Sequence, residues 1–292
     1  MRVTQGMLAS DSLRHLSNSY GRLGDLQNQL STGKKITRPS QDPVVAMKGM
    51  FYRSNLREVE QYQRNLSEAY LWMDNSEAGL EQANSALQRV RELVVQGKTG
   101  TYSEEDRFAI ATEIEQLKQD LMETANTQIA GRYIFNGSNV DNPPVRSVDP
   151  VDIDMNTEDY TVEVSAGVSL KTNINPENVF NEGLFTTLNE LTESLTGDFS
   201  VEKMDQILQD LDNRLDILQA ERSEMGARYN RLEMIENRLG KTEIMANKII
   251  SDNEDAEMEK VITDLTTQES VHRAALSVGA RIIQPTLMDF LR

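Results

Sequence analysis

No proline falls between Pro43 and Pro143, and within that gap an apolar residue returns at every seventh position: Tyr52, Val59, Leu66, Met73, Leu80, Leu87 and Val94. At an apolar content of 38%, seven hits in one register have a chance on the order of 0.1%, so the period is signal. Positions three further on include Tyr62, Ala69, Ala83 and Val90, which complete a seam with a small-residue half. A seven-residue repeat held this long fits gently supercoiled, near-parallel helices and little else. A helix of ~45 residues would run ~65 Å. Gly97 and Gly100 are expected to end it, and Ser103 with Asp106 three later reads as a capping box for the next helix. Ile110, Ile114, Leu117, Leu121 and Ala125 give that helix its inner face, and Gly131 is expected to close it.

A second proline-free gap separates Pro176 from Pro285, and Met204, Leu211, Leu218, Met225, Leu232, Leu239 and Ala246 again recur at seven. Leu208, Leu215 and Tyr229 fill the companion positions, Arg222 and Glu236 interrupt them, and Ser200 is the expected N-cap. After a break around Ser251 to Asp255, a last helix carries Met258, Val261, Leu265, Ala275 and Ile282. Both chain ends keep apolar periodicity. Leu13, Leu16, Tyr20, Leu23 and Leu30 share one heptad register at the front, and Ile282, Ile283, Leu287, Met288, Phe290 and Leu291 carry apolar character along the back. Chain ends are ordinarily polar and frayed, so these are expected to pack on each other or on a neighbouring copy.

Between the helical halves the texture changes. Asn136-Gly137 is a turn signal, prolines cluster at 143, 144 and 150, and Tyr160, Val162 and Val164 alternate before Ala166-Gly167 and Val168, Leu170. Helical spacing resumes with Phe180, Leu184, Leu188 and Leu191. The expectation is a mainly α chain, an elongated coiled-coil-like bundle of long helices from both ends with a small central β-rich insert. Its segments are a front assembly segment (1–45), a first rod half (46–135), the insert (136–180), a second rod half (181–250) and a back assembly segment (251–292).

Charge is uneven along the chain. Residues 1–57 carry nine Lys/Arg against three Asp/Glu, net +6, whereas residues 58–292 carry 21 against 44, net −23. A basic front and an acidic back attract each other as neighbouring helices. The basic excess is too small, and too free of interleaved aromatics, for a nucleic-acid binder. No run of ~18 apolar residues is present to span a membrane, and Met1 to Gly6 is not followed by the apolar stretch of a cleavable signal.

Catalytic constellations fail on inspection. Gly97-Lys98-Thr99 has Glu92 where a phosphate loop needs glycine, and a helix where it needs a strand, so a turn is expected there. Glu269 and His272 have the spacing of a helical di-iron pair, but the other histidine, His15, has Ser12 three residues before it, so both read as solvated or interface polar groups. The acidic runs Asp149–Asp154 and Asp252–Glu259 lack the central glycine of a calcium loop. With no cysteine, no nucleophile–base pair stands out. Neither an enzyme, nor a cofactor, nor a metal is expected.

Two segments carry a family resemblance. Leu30-Ser31-Thr32-Gly33-Lys34-Lys35-Ile36-Thr37-Arg38-Pro39-Ser40-Gln41-Asp42-Pro43-Val44-Val45-Ala46 resembles the motif near the front of bacterial flagellins and their hook-associated relatives. Ala280 to Leu291 resembles that family's C-terminal segment, and Gln128 to Gly137 its handover from helices to the variable domain. Pro39, Pro43 and the Asp289-Phe290-Leu291 ending resemble the hook-associated branch; a short flagellin has the same layout. The resemblance implies a structural part of the flagellum, forming the junction layer between hook and filament on which flagellin assembles. Its implied partners are further copies in a ring, the other junction protein, flagellin and an export chaperone, and its implied exit is the flagellar type III apparatus. The motif residues Leu30, Ser31, Gly33, Lys34, Arg38, Pro39, Asp42 and Pro43 follow from it, as do contacts to copies or chaperone through Leu13, Leu16, Leu23, Leu276, Ile282, Leu287, Phe290 and Leu291. A cytoplasmic coiled-coil adaptor would explain the heptads but not that motif.

Overall fold

The computed structural model describes residues 5–98, 103–197 and 200–282. Among the described residues, seven helices flank, in chain order, a central stretch of six short strands. They are α1 (Gln5–Thr32), α2 (Pro43–Lys98), α3 (Glu104–Ala125), α4 (Pro176–Val179), α5 (Glu182–Thr196), α6 (Val201–Glu254) and α7 (Met258–Ile282). The strands are β1 (Gln128–Ile129), β2 (Arg132–Tyr133), β3 (Val145–Val148), β4 (Val151–Ile153), β5 (Thr161–Ser165) and β6 (Val168–Lys171). They pair as three antiparallel two-stranded ribbons, β1–β2, β3–β4 and β5–β6. No described helix is long and apolar enough to cross a membrane. The mainly α reading with a small β-containing insert holds.

Two compact units are present, 59–241 and 1–58 with 242–292. The 59–241 unit holds nearly all of the apolar core. Val59, Leu66, Met73, Leu80, Leu87 and Val94 of α2 are buried, and so are Met204, Leu211, Leu218, Met225, Leu232 and Leu239 of α6. Both heptad series therefore face inward, as the spacing requires. The two residues that interrupt the α6 series are partnered: Arg222 donates to Glu77 Oε1 at 2.5 and 3.0 Å, and Glu236 accepts from Tyr70 Oη at 2.8 Å. Ser103 and Asp106 form the expected capping box at α3. Ile110, Ile114, Leu121 and Ala125 are buried, and Leu117 is partly so.

Some local boundaries differ from expectation. α3 ends at Ala125 with Asn126 as its cap, whereas Gly131 makes the turn of the β1–β2 ribbon. Asn126 is the stronger stop because its side chain bonds β3 through Val145 O (2.7 Å) and Val145 N (3.2 Å). Gly97 and Lys98 lie in the last turn of α2 rather than in a turn beyond it, and Lys98 pairs with Asp205; Thr99 and Gly100 fall outside the described residues. Ala166-Gly167 does turn β5 into β6, and Phe135, Phe180 and Phe185 are fully buried, the first two in edge contact with ring centroids 5.1 Å apart.

The 1–58/242–292 unit is built differently. α1 packs antiparallel against α7, with Ser19 opposite Gln268 and His272. Among the described residues, Val261 is its one buried large apolar side chain. This unit is held by polar contacts more than by a core.

Candidate functional site

The motif begins where α1 ends. Gly33, at φ +68°, takes the left-handed conformation that stops a helix, and its N–H bonds Gln29 O at 2.8 Å. The freed chain then lies against the α6–α7 junction. Ala256 N donates to Gly33 O (2.8 Å), Lys35 N donates to Glu254 O (2.7 Å), and Lys34 and Asp255 form an isolated antiparallel bridge. Side chains reinforce this clasp. Lys34 Nζ lies 2.6 Å from Asp255 Oδ1 and 3.6 Å from Glu254 Oε2, and Lys35 Nζ donates to Asp252 O at 2.6 Å. The basic front thus meets the acidic back, at the motif itself.

Beyond the clasp the chain turns into α2. Gln41 Oε1 accepts from Thr37 N (2.8 Å) and Arg38 N (3.1 Å), which shapes the loop around Pro39. Asp42 caps α2, its Oδ1 accepting from Val44 N (2.9 Å) and Val45 N (3.1 Å), with Pro43 at the first helical position where a missing N–H costs nothing. One turn on, Gly49 is buried against the Glu254 carboxylate; a Cβ there would stand 2.5 Å from Oε1. Glu254 is itself buried and takes Arg53 at 2.5 Å. Asn253 Nδ2 bonds Val45 O at 3.1 Å. The Asp255 carboxyl is held below its ordinary pKa by the hydrogen bond from Lys34, then by that from Ser251 and by the charges of Lys34 and Lys35. Among the described residues, no cluster of His, Cys, Asp or Glu that could hold a metal ion is present. The arrangement fastens the segment that follows α1, and the start of α2, to the α6–α7 junction.

The candidate contact residues lie along α1 and α7. Leu16 and Leu23 are half-buried on the seam, whereas Leu13 (58% exposed), Tyr20 (72%) and Leu276 (47%) remain largely open. The most buried seam positions are Ser12, Leu16, Ser19, Leu23, Leu26 and Leu30, which meet Val261, Leu265, Gln268, His272, Ala275 and Gly279; Tyr20, its ring centroid 6.1 Å from that of His272, borders the seam. Its centre is polar: Gln268 Nε2 donates to Ser19 Oγ at 3.0 Å, and His272 Nδ1 stands 3.3 Å from the same oxygen. His272 is thus an interface group, and Glu269 is exposed. The side chain of Ile282, and all of Leu287, Phe290 and Leu291, fall outside the described residues.

Leu30 is half-buried, and Ser31, Arg38, Pro39 and Pro43 are exposed. Sequence reasoning missed Gly49, Glu254, Ser19 and Gln268. A glycine in a helix whose neighbours are good helix formers was a signal for the first; for the others no one-dimensional pattern distinguishes them from solvated polar residues.

Residues 3–140 match the family model described as the bacterial flagellin N-terminal helical region. A flagellar hook-associated protein 3 from Salmonella typhimurium is 32% identical over 145 residues, 49% of this chain and 46% of that protein. The match therefore spans about half the length of that curated relative. A flagellar filament 31.3 kDa core protein from Treponema maltophilum is 26% identical over 96% of both chains. The crystal structure of a flagellar junction protein from Legionella pneumophila superposes with a TM-score of 0.59 at 17% identity, covering 71% of this chain and 100% of that one. These relatives are structural proteins of flagella and not enzymes. The motif, the paired terminal helices, the matched N-terminal region and these relatives point the same way: over residues 3–140 the chain matches the bacterial flagellin N-terminal helical region, and it is similar to flagellar hook-associated and filament proteins.

Proposed function

We propose that this protein forms the layer joining hook to filament, a ring of copies on which flagellin assembles. The observation that carries the reading is the 32% identity to hook-associated protein 3 over 145 residues. The terminal unit supports it physically. With Val261 as its one buried large apolar residue among those described, that unit buries little on its own, so further burial must come from neighbours. Its partners in this reading are other copies, the second junction protein and flagellin, and it leaves the cell through the flagellar type III apparatus. A dedicated chaperone takes the last ~40 residues as an amphipathic helix laid in an apolar groove, with Leu287 and Phe290 as anchors.

Deletion of the gene tests the reading. Cells lacking the protein should keep their hooks and shed flagellin monomers into the medium; filaments that remain attached defeat it. The second reading is a short flagellin, favoured by the 26% identity to a filament core protein over 96% of both chains. It predicts that deletion abolishes the filament subunit while hooks and junction proteins remain.

A further inference from the structure

Immediately after the motif, Val44, Met47, Met50 and Phe51 are 55%, 62%, 63% and 62% exposed. Val44, Met47 and Phe51 stand at i, i+3 and i+7, on one face of the first turns of α2, with Met50 at its edge. Four large apolar residues this open within eight positions exceed the scattered exposure of an ordinary surface. Arg38 precedes the patch and Lys48 lies one turn beyond Val44; both are exposed, and neither enters an ion pair among the described residues. The patch is basic and apolar.

The first turns of α7 carry the opposite chemistry. Met258 and Ile262 are 39% and 49% exposed. Glu257 and Glu259 are exposed beside them, and Glu269 lies seven residues beyond Ile262 on the same face. None of the three acids is ion-paired among the described residues.

We propose that these two surfaces are the halves of one interface, the α2 face of one copy seated on the α7 face of the next. The proposal rests on the flagellar reading and adds to it which residues meet. Charge selects the pairing. Two α2 faces together would oppose Arg38 and Lys48 with themselves, and two α7 faces would oppose carboxylates; only the mixed contact places Lys48 and Arg38 against Glu257 and Glu259. A contact between two different surfaces is heterologous, so it repeats from copy to copy and yields a ring or a helical array instead of a closed pair.

The absence of native cysteine makes the test unambiguous. Met47→Cys and Ile262→Cys chains are produced together in the organism lacking the wild-type gene, and isolated flagella are oxidised mildly; Phe51→Cys with Met258→Cys forms a second pair. A disulfide-linked dimer that requires both variants of a pair is the expected product, because the bond forms only when Cα atoms approach to about 4.4–6.8 Å. Lys48→Glu should lower incorporation on the order of tenfold, and Lys48→Glu with Glu259→Lys should restore it. Met47→Cys homodimers, a link from Met47→Cys to another flagellar protein, no link in either pair, or a charge reversal without rescue would each overturn the proposal. Flagella that contain the chain unlinked overturn the surfaces alone. Flagella that are normal and lack the chain overturn the flagellar reading, and the proposal falls with it.

Discussion

Glu254 is buried at a point where four groups depend on it: the Arg53 guanidinium, the Lys34 ammonium, Lys35 N–H through its carbonyl, and the Gly49 backbone pressed against its carboxylate. Gly49 therefore responds to substitution in the opposite sense from an ordinary helical glycine. In α6, Gly226 faces open space, and alanine there should stabilise by about 0.5–1 kcal/mol through reduced backbone entropy. Gly49→Ala must displace the carboxylate and should destabilise the clasp by about 1–2 kcal/mol. Thermal melts of the two variants, shifted in opposite directions, check this; two shifts of the same sign would mean that the close approach carries no energy. Asp255 makes the clasp sensitive to acid. Its folded pKa lies below the ordinary value, so its contribution is complete above the ordinary carboxylate range and is lost as pH falls through the depressed one. Wild type and Asp255→Asn should differ in stability at neutral pH and converge in strong acid. A gap that persists there would assign the effect to packing.

Along α2 and α6, the heptads explain where the helices face but not how they tolerate the interruptions. Arg222 and Glu236 sit at positions that should be apolar, and each is matched by a polar partner on α2, Glu77 and Tyr70. The β5–β6 ribbon is tied to α2 by aromatic packing. Trp72, the chain's single tryptophan, is buried and stacks on Tyr160 with ring centroids 4.7 Å apart at 24°. Tyr160 Oη in turn reaches Glu68 at 3.2 Å. Tyr160→Ala should open the Trp72 ring to water, shift its emission to the red and cost about 3–4 kcal/mol. Tyr160→Phe loses only the hydrogen bond, about 0.5–1.5 kcal/mol, with emission unchanged. Equal red shifts in both would place the hydroxyl, not the ring, in control of the docking.

The two units divide the work of the molecule. Among the described residues, the 59–241 unit contains nearly every buried apolar side chain and has what an independent fold needs. The terminal unit pairs α1 with α7 through a seam rich in Ser, Gln, His, Ala and Gly, which buries little and stays marginal without further partners. Brief proteolysis of the isolated protein should therefore trim about the first 40–50 and last 30–40 residues while the heptads from Tyr52 to Val94 and from Met204 to Ala246 survive. The Gln268→Ala variant, which removes a donor to Ser19, should speed amide exchange in α1 and α7 and leave the 59–241 unit unchanged. Exchange accelerated throughout would show that the units unfold as one.

Much of this was legible in one dimension. A residue that recurs every seventh position faces one direction whatever it packs against, so the inner faces of α2 and α6, the capping box at Ser103 and the β5–β6 turn could be read from spacing and local chemistry. Which stripe of α1 faces α7 could not be. Leu13 and Tyr20 were as good candidates as Leu16 and Leu23, and only the partner helix, offering Gln268 and His272 opposite Ser19, decided between adjacent registers. The clasp shows the same division. The residues from Leu30 to Ala46 announced a motif and a helix cap, because glycine, aspartate and proline act on the backbone beside them. That Glu254, more than 200 residues away, is the group those residues close upon is set by tertiary packing, since burial and charge pairing depend on what the folded chain brings together.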